Sequence, residues 1–135
     1  MKTDHSKLIL LAEDNPDDAF IFEMMIKRAG LLETVRVVQD GHQAINWLGG
    51  KGEYADRKKF PIPDLLFLDL KMPIKSGFEV LEWLRGQKQF EKLPVFVLSS
   101  SDERTDVKRA SELGVTTYFV KSPQLQDVIQ YLQLN

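Results

Sequence analysis

Residues 8–18 read Leu8-Ile9-Leu10-Leu11-Ala12-Glu13-Asp14-Asn15-Pro16-Asp17-Asp18, and they set the pattern for the whole chain. The first five residues are apolar without alternation, which is typical of a strand covered on both faces. Asn15 is a favourable helix cap, Pro16 suits the first helical position, and the two acids that follow suit the first turn. The predicted first unit is therefore a buried strand that leads directly into a helix.

The same strand-then-helix unit occurs five times along the chain. The predicted strands lie at residues 8–12, 34–38, 65–68, 95–98 and 117–120. The residues at helical spacing are Ile21, Phe22, Met25, Ile26 and Ala29; then Ala44, Ile45 and Leu48; Phe78, Leu81 and Leu84; Val107, Ala110 and Leu113; and Leu125, Val128, Ile129 and Leu132. Alternating strands and helices predict an α/β fold, a (βα)5 doubly wound five-stranded parallel sheet with helices on both faces, as in flavodoxin-like proteins. In such sheets the ligand site lies beyond the carboxyl ends of the strands.

Length and composition bound the class of protein. The 135 residues fit one domain, residues 1–135, and allow a substantial core. The absence of cysteine excludes a disulfide framework, a thiol nucleophile and a thiolate metal site. Residues 1–7 lack the apolar core of a secretory signal, and no apolar run is long enough to span a bilayer. With a net charge of −2, we expect a soluble cytoplasmic protein that binds neither nucleic acid nor a membrane.

The segment from residue 49 to residue 63, here called the 49–63 loop, is longer than the other predicted connections. It contains three glycines, two prolines and the basic cluster Arg57-Lys58-Lys59. One interpretation is a solvated surface loop, as most loops are. The other is a loop that contacts a partner protein.

Chemically capable side chains follow four of the five predicted strands. They are Glu13 and Asp14 after the first strand, Asp69 after the third, Ser99 after the fourth and Lys121 after the fifth. Each has an ordinary explanation alone, as a helix complement, a cap or a solvated lysine. Together, the carboxylates would raise one another's pKa unless a cation lay between them, which predicts a divalent ion with Mg²⁺ as the natural candidate. A carboxylate can attack phosphorus to form an acyl phosphate, and a lysine and a hydroxyl would stabilise the phosphoryl oxygens.

A longer motif carries a resemblance to a known family. Leu66-Phe67-Leu68-Asp69-Leu70-Lys71-Met72-Pro73-Ile74-Lys75-Ser76-Gly77 resembles the phospho-acceptor motif of two-component response regulators: an acceptor Asp, then Met-Pro, then Gly. Glu13-Asp14 resembles their acidic pair, Leu98-Ser99-Ser100 their hydroxyl switch, and Tyr118-Phe119-Val120-Lys121 their aromatic-to-lysine segment. The resemblance covers essentially the whole chain. The 49–63 loop, combined with Glu-Asp-Asn-Pro-Asp-Asp, also resembles the small single-domain regulators paired with bacterial phytochrome kinases.

The resemblance implies a phospho-acceptor and a metal site. Asp69 would accept a phosphoryl group from a sensor histidine kinase, or from a small donor such as acetyl phosphate. Glu13, Asp14, Asp69 and the main-chain carbonyl of Lys71 would bind Mg²⁺, with Glu13 acting directly or through water. Lys121 would pair with the phosphate. The chain would catalyse only its own phosphorylation and dephosphorylation.

The resemblance also implies a switch and its partners. Ser99 would hydrogen-bond the phosphoryl group, and its motion would free space for Tyr118 to turn inward. Tyr118 could otherwise be a half-buried strand aromatic with its hydroxyl in water. With no output domain expected, the signal would pass by contact to a downstream effector or a phosphotransfer protein. A homodimer through the face formed by the fourth and fifth helices is compatible with the family.

Two positions depart from the family pattern. Receiver domains commonly place proline directly after the lysine in a cis linkage, whereas here Ser122 precedes Pro123. A cis bond before Ser122 would cost roughly 3–4 kcal/mol, so we expect a trans bond there, a cis bond before Pro123, or Ser122 as a helix cap with Pro123 as the first helical residue. Lys71 brings a positive side chain near the acceptor. It is either solvent-exposed or slows hydrolysis of the phosphate.

Three other functions compete with this interpretation. A phosphohydrolase with an aspartate nucleophile usually carries a second acid two residues later, where this chain has Lys71. A flavodoxin-like cofactor carrier would have a hydroxyl- or glycine-rich phosphate cradle after the first strand, where this chain has acids. A phosphorylation-independent binding module would not need every chemical position to be intact.

Overall fold

The structure of the protein, a computed structural model, describes residues 7–30, 34–121 and 130. Within these residues, five strands form one parallel sheet in the order β2-β1-β3-β4-β5. The strands are β1 (Leu8–Ala12), β2 (Thr34–Val38), β3 (Leu65–Leu68), β4 (Val95–Ser99) and β5 (Thr117–Val120). The helices are α1 (Pro16–Arg28), α2 (Gly41–Gly49), α3 (Gly77–Arg85) and α4 (Arg104–Glu112), with short 3-10 turns at Gly52–Ala55 and Lys88–Phe90. The predicted α/β fold is thus confirmed.

The last predicted helix and the segment that leads into it lie almost entirely outside the described residues. The inward positions Leu125, Val128, Ile129 and Leu132, and the linkages around Ser122 and Pro123, fall outside the described residues. None of the helices that the structure does describe is long and apolar enough to cross a bilayer.

The three central strands, β1, β3 and β4, are buried on both faces because they are apolar at nearly every position. In β1, Leu10 and Ala12 join one core cluster, whereas Ile9 and Leu11 join the other. The first cluster also contains Trp47, Leu81 and Ala110 from α2, α3 and α4, and the second contains Phe22 and Ile26 from α1. Each fully buried Leu or Phe contributes about 1.5–3 kcal/mol, so the two clusters hold the strand ends in fixed positions.

The start of α1 follows the prediction. The Asn15 side chain accepts hydrogen bonds from the backbone N–H groups of Asp17 and Asp18, and Pro16 is the first helical residue. The inward pattern was wrong at Ile21 and Val107, which are 52% and 37% exposed. Successive helical residues are turned by about 100°, and the buried face of each helix is narrower than its apolar pattern.

The 49–63 loop is packed against the end of α2. The Trp47 indole Nε1 donates to the Pro61 carbonyl at 2.9 Å. The Arg57 guanidinium donates to the carbonyls of Trp47, Leu48 and Phe60 at 2.6, 2.8 and 3.1 Å. Lys58 and Lys59 are exposed. The prediction of a solvated loop therefore holds for these two lysines but not for Arg57, which binds main-chain carbonyls.

Candidate functional site

Backbone hydrogen bonds continue the sheet past its strand ends and align the polar residues along one edge. The Asp69 N–H donates to the Ala12 carbonyl at 3.0 Å, which places Asp69 beside the next residue, Glu13. The Lys121 N–H likewise donates to the Ser99 carbonyl at 2.8 Å, just beyond the ends of β4 and β5. The parallel register thus brings the chemical positions to one edge, as the sequence predicted.

Glu13, Asp14 and Asp69 form a compact set of carboxylates, here called the acidic group. Each offers an oxygen, and these three atoms lie within 4.8 Å of one another. Glu13 and Asp69 are 2% and 5% exposed, whereas Asp14 is exposed. Oxygen ligands at this spacing, two of them withdrawn from water, suit a hard divalent cation such as Mg²⁺. The residues present therefore fit the metal that the sequence predicted.

Lys71 follows Asp69 by two residues and is exposed to solvent. Its backbone N–H donates to Asp69 Oδ1 at 3.2 Å, which fixes one oxygen of that carboxylate. Lys71 therefore contacts the acceptor through its main chain, and of the two interpretations of its side chain the exposed one fits the structure.

Lys121 supplies the positive charge at this edge. Its Nζ lies 2.7 Å from Glu13 Oε1, 2.9 Å from Asp18 Oδ2 and 3.3 Å from Asp69 Oδ2, and its side chain is 15% exposed. Burial alone would lower the pKa of Lys121, but the hydrogen bonds to Glu13 and Asp18 and the charge of Asp69 raise it above its ordinary value. The ammonium is therefore charged at every physiological pH.

The surroundings of Glu13 oppose the ionisation of its carboxyl group. Burial raises its pKa from 4.5 to about 6, and the neighbouring charge of Asp69 acts in the same direction. Hydrogen bonds from Lys121 and from the Asn15 backbone N–H lower the pKa and offset part of this rise. A cation bound to the acidic group would add to that offset, because it favours the ionised form.

Asp18 was missed as a site residue by the sequence analysis, which assigned it only to the first turn of α1. Its carboxylate reaches Lys121 from the third position of that helix. The contact with Lys121 spans 103 residues of sequence, which no local pattern reports.

Ser99 and Tyr118, the predicted switch residues, are connected through Ser101. Ser99 is fully buried, and its Oγ accepts a hydrogen bond from the Ser101 N–H at 3.2 Å. The Tyr118 hydroxyl donates to the Ser101 carbonyl at 2.7 Å, and burial raises the pKa of that hydroxyl. Tyr118 is half-buried, but its hydroxyl has a protein partner, so the alternative of a hydroxyl in water was wrong.

Ser101 also binds the helix that follows it, and the sequence analysis missed this residue. Its hydroxyl donates to Asp106 Oδ2 at 2.6 Å and accepts from the Glu103 N–H at 3.3 Å. Asp106 lies in the first turn of α4. The hydroxyl of Ser99 is thus linked to α4 through one buried serine.

The motif after Asp69 has a local physical basis. Gly77 is the first residue of α3, and a Cβ there would lie 2.3 Å from the Asp69 carbonyl oxygen. Its N–H donates to the Leu70 carbonyl, and Ser76 caps the helix with Glu79 in a reciprocal capping box. Glycine is therefore required for α3 to begin directly against the backbone of Asp69.

The comparisons with known proteins agree with this geometry. The family model of the response regulator receiver domain matches residues 9–133. Response regulator Rcp1 of Synechocystis sp. is 34% identical over 127 residues, which cover 94% of this chain and 84% of Rcp1. A structure of the phosphorylated cyanobacterial phytochrome response regulator RcpA superposes with a TM-score of 0.82 at 33% identity, covering 96% of this chain and 90% of RcpA.

A second solved relative is the Mn²⁺-bound form of Rcp1, with a TM-score of 0.79 at 34% identity, covering 94% of this chain and 89% of that chain. Receiver domains of this type are signalling proteins that partner with sensor histidine kinases. Given the parallel sheet, the acidic group at its edge and these matches, the chain belongs to the response regulator receiver family and is related to the phytochrome response regulators.

Proposed function

We propose that this protein is a phosphorylation switch in which Asp69 accepts a phosphoryl group from a histidine kinase in a Mg²⁺-dependent reaction. The observation that carries the proposal is the position of Asp69. Its carboxylate belongs to the acidic group and lies 3.3 Å from the Lys121 ammonium. A nucleophile thus stands between a site for a divalent cation and a fixed positive charge.

The arrangement of Asp69 supports attack by one of its two oxygens. Oδ1 accepts the Lys71 N–H, and Oδ2 faces Lys121. A carboxylate oxygen forms the new bond to phosphorus while the bond between phosphorus and the donor breaks. Lys121 would then pair with an oxygen of the transferred group, and the Ser99 hydroxyl would donate a hydrogen bond to another.

The metal would be held by Glu13, Asp14 and Asp69, together with the main-chain carbonyl of Lys71. Bound there, Mg²⁺ would neutralise charge that develops on the phosphoryl oxygens. The solved Mn²⁺-bound form of Rcp1 supports the binding of a divalent cation, since it is a form of a relative that holds one. The choice of Mg²⁺ follows from its preference for carboxylate oxygens, water and phosphate together.

The switch would run from Ser99 through Ser101 to Tyr118 and α4. If the Ser99 hydroxyl turns towards the phosphoryl group, it no longer accepts the Ser101 N–H. Ser101 holds both the Tyr118 hydroxyl and Asp106 of α4, so both contacts would respond. A local charge would thereby change the surface made by β5 and α4.

The relatives support an assignment of the partners of the switch. The phytochrome response regulators among them point to a phytochrome-type histidine kinase as the phosphoryl donor. The output would be contact with an effector or a phosphotransfer protein through the surface of α4 and β5. A homodimer through the same surface would also involve the helix predicted from the sequence at residues 125–132, which falls almost entirely outside the described residues.

The test is the intact mass of the protein after incubation with acetyl phosphate and Mg²⁺. The wild-type protein should gain one phosphoryl mass, and a chelator should prevent the gain. Asp69→Asn should gain nothing, because an amide is a far weaker nucleophile than a carboxylate. Asp56→Asn, which alters an exposed aspartate in the 49–63 loop, should be labelled like the wild type.

Retention of the label on Asp69→Asn would refute Asp69 as the acceptor. If the wild-type protein takes no label, binding of beryllofluoride with Mg²⁺ is the second measurement, because it does not depend on the donor. Absence of both would favour a binding module that works without phosphorylation.

A further inference from the structure

Lys121 has as many carboxylate partners as it has N–H groups. A lysine ammonium carries three N–H donors. Three carboxylates, those of Glu13, Asp18 and Asp69, lie within 2.7 to 3.3 Å of its Nζ. Every donor is therefore matched by an acceptor before a phosphoryl group arrives, and the phosphoryl group must displace one of them.

Asp18 differs from the other two partners in exposure. Its side chain is 35% exposed, compared with 1% for Glu13 and 7% for Asp69. It is also not a member of the acidic group. The contact of Asp18 with Lys121 thus acts on the lysine and not on the cation site.

Phosphorylation changes the balance among these partners. The bond that forms joins a carboxylate oxygen of Asp69 to phosphorus, and the bond that breaks releases the donor, as acetate from acetyl phosphate. The charge at Asp69 rises from −1 to about −2, which strengthens its attraction for Lys121. Release of Asp18 costs less than release of Glu13, because water can solvate the partly exposed carboxylate of Asp18, whereas that of Glu13 is buried.

We propose that Asp18 is a positioning residue that holds Lys121 before phosphorylation and is exchanged for a phosphoryl oxygen afterwards. This inference rests on the proposed function of Asp69. Because Asp18 and the phosphoryl group bind the same ammonium, Asp18 weakens the binding of the phosphoryl group. Asp18 therefore stabilises the unphosphorylated protein relative to the phosphorylated protein.

The experiment measures the affinity for beryllofluoride in the presence of Mg²⁺ by titration calorimetry. Asp18→Asn should bind about two- to five-fold more tightly than the wild type, the size expected from loss of one partly exposed ion pair. Asp17→Asn is the matched control, because Asp17 is also an acid in the first turn of α1 and is exposed. Its affinity should stay close to that of the wild type.

Two further readouts separate this role from a structural role of Asp18 in α1. The difference between Asp18→Asn and the wild type should shrink as salt is raised towards about 1 M, because salt screens a partly exposed pair. Asp18→Glu keeps the carboxylate and should restore an affinity near that of the wild type. A change in helix stability alone would follow neither pattern.

The outcomes are distinguishable. If the wild type binds beryllofluoride and Asp18→Asn binds equally or more weakly, this inference is overturned and the proposed function stands. If neither the wild type nor Asp18→Asn binds it, the proposed function fails and the inference fails with it. Tighter binding by Asp17→Asn to the same extent would assign the effect to general charge and would also overturn the exchange.

Discussion

At the carboxyl edge of the sheet, Lys121 lies among three carboxylates, whereas at the end of α2, Arg57 lies among three carbonyls. In both regions, three acceptor groups surround one cationic side chain. They differ in the charge of the acceptors, since Lys121 faces anions that repel one another and Arg57 faces neutral groups. They also differ in the cation, since lysine is a point charge and arginine a rigid fork of donors.

The difference teaches what each region can do. Repelling carboxylates held by one ammonium can be rearranged by any new cation or anion, so this edge can respond to a ligand. The carbonyls held by Arg57 include those of Trp47 and Leu48 in the last turn of α2, and the Trp47 carbonyl also accepts the N–H of the cap residue Gly50. The Arg57 region therefore stabilises the fold and is indifferent to the chemistry of the edge.

The largest expected effect is on the Arg57 side of this comparison. Arg57→Ala should lower the free energy of unfolding by about 2–3 kcal/mol, because three carbonyls lose a charged donor and two belong to the buried residues Trp47 and Leu48. Urea unfolding measures the change. Labelling with acetyl phosphate should be unaffected at a temperature where the variant is folded.

Lys58→Ala is the matched control for Arg57→Ala, because Lys58 is the next basic residue and is exposed. Its unfolding free energy should change by less than about 0.5 kcal/mol. A loss for Arg57→Ala no larger than this would show that Arg57 does not stabilise α2.

The positions of the strands and of five site residues could be predicted from sequence for a simple reason. Strands buried on both faces are continuous apolar runs, and the residues just after them must meet at one edge of a parallel sheet. Glu13, Asp14, Asp69, Ser99 and Lys121 all follow from that rule. Gly77 belonged to the quoted motif, but its reason, the close approach to the Asp69 carbonyl, needed coordinates.

Contacts made by long side chains between distant segments could not be predicted. Asp18 reaches Lys121 across 103 residues, and Arg57 reaches back to the end of α2. In sequence, an acid in a first helical turn and a basic cluster in a loop both have sufficient local explanations. The side-chain partner is decided by tertiary packing, which apolar periodicity does not encode.

The stability of the protein should depend on pH through Glu13 at the edge of the sheet and not through the acids of the 49–63 loop. The folded-state pKa of Glu13 is about 6, above its ordinary value of 4.5, so between these values the folded state binds more protons than the unfolded state. Stability should therefore fall as the pH rises from about 4.5 to about 6, by at most about 2 kcal/mol. Urea unfolding in chelator, across this range, measures the change.

Glu13→Gln should remove this slope, so that its stability relative to the wild type rises with pH over the same range. Glu53→Gln, which changes an exposed acid in the 49–63 loop, should leave the slope intact. If Glu13→Gln and Glu53→Gln both showed the same change of stability between pH 4.5 and 6 as the wild type, the assignment to Glu13 would be contradicted.

The smallest expected effect concerns backbone strain in the motif that follows Asp69. Ile74 has a φ of +67°. It lies at the centre of a tight turn in which the Lys75 N–H donates to the Pro73 carbonyl at 2.7 Å. In the 49–63 loop, by contrast, the positive φ values fall on Gly50 and Gly52. For a β-branched residue this conformation costs about 1–3 kcal/mol, and Ile74 is 73% exposed, so its side chain gains little from burial. Ile74→Gly should therefore raise the free energy of unfolding by about 0.5–1 kcal/mol after the entropic cost of glycine.

Ile62→Gly is the matched control, because Ile62 is a half-exposed isoleucine of the 49–63 loop that does not have a positive φ. This variant should lower the free energy of unfolding by a similar amount. A loss of stability in both variants would show that Ile74 is unstrained.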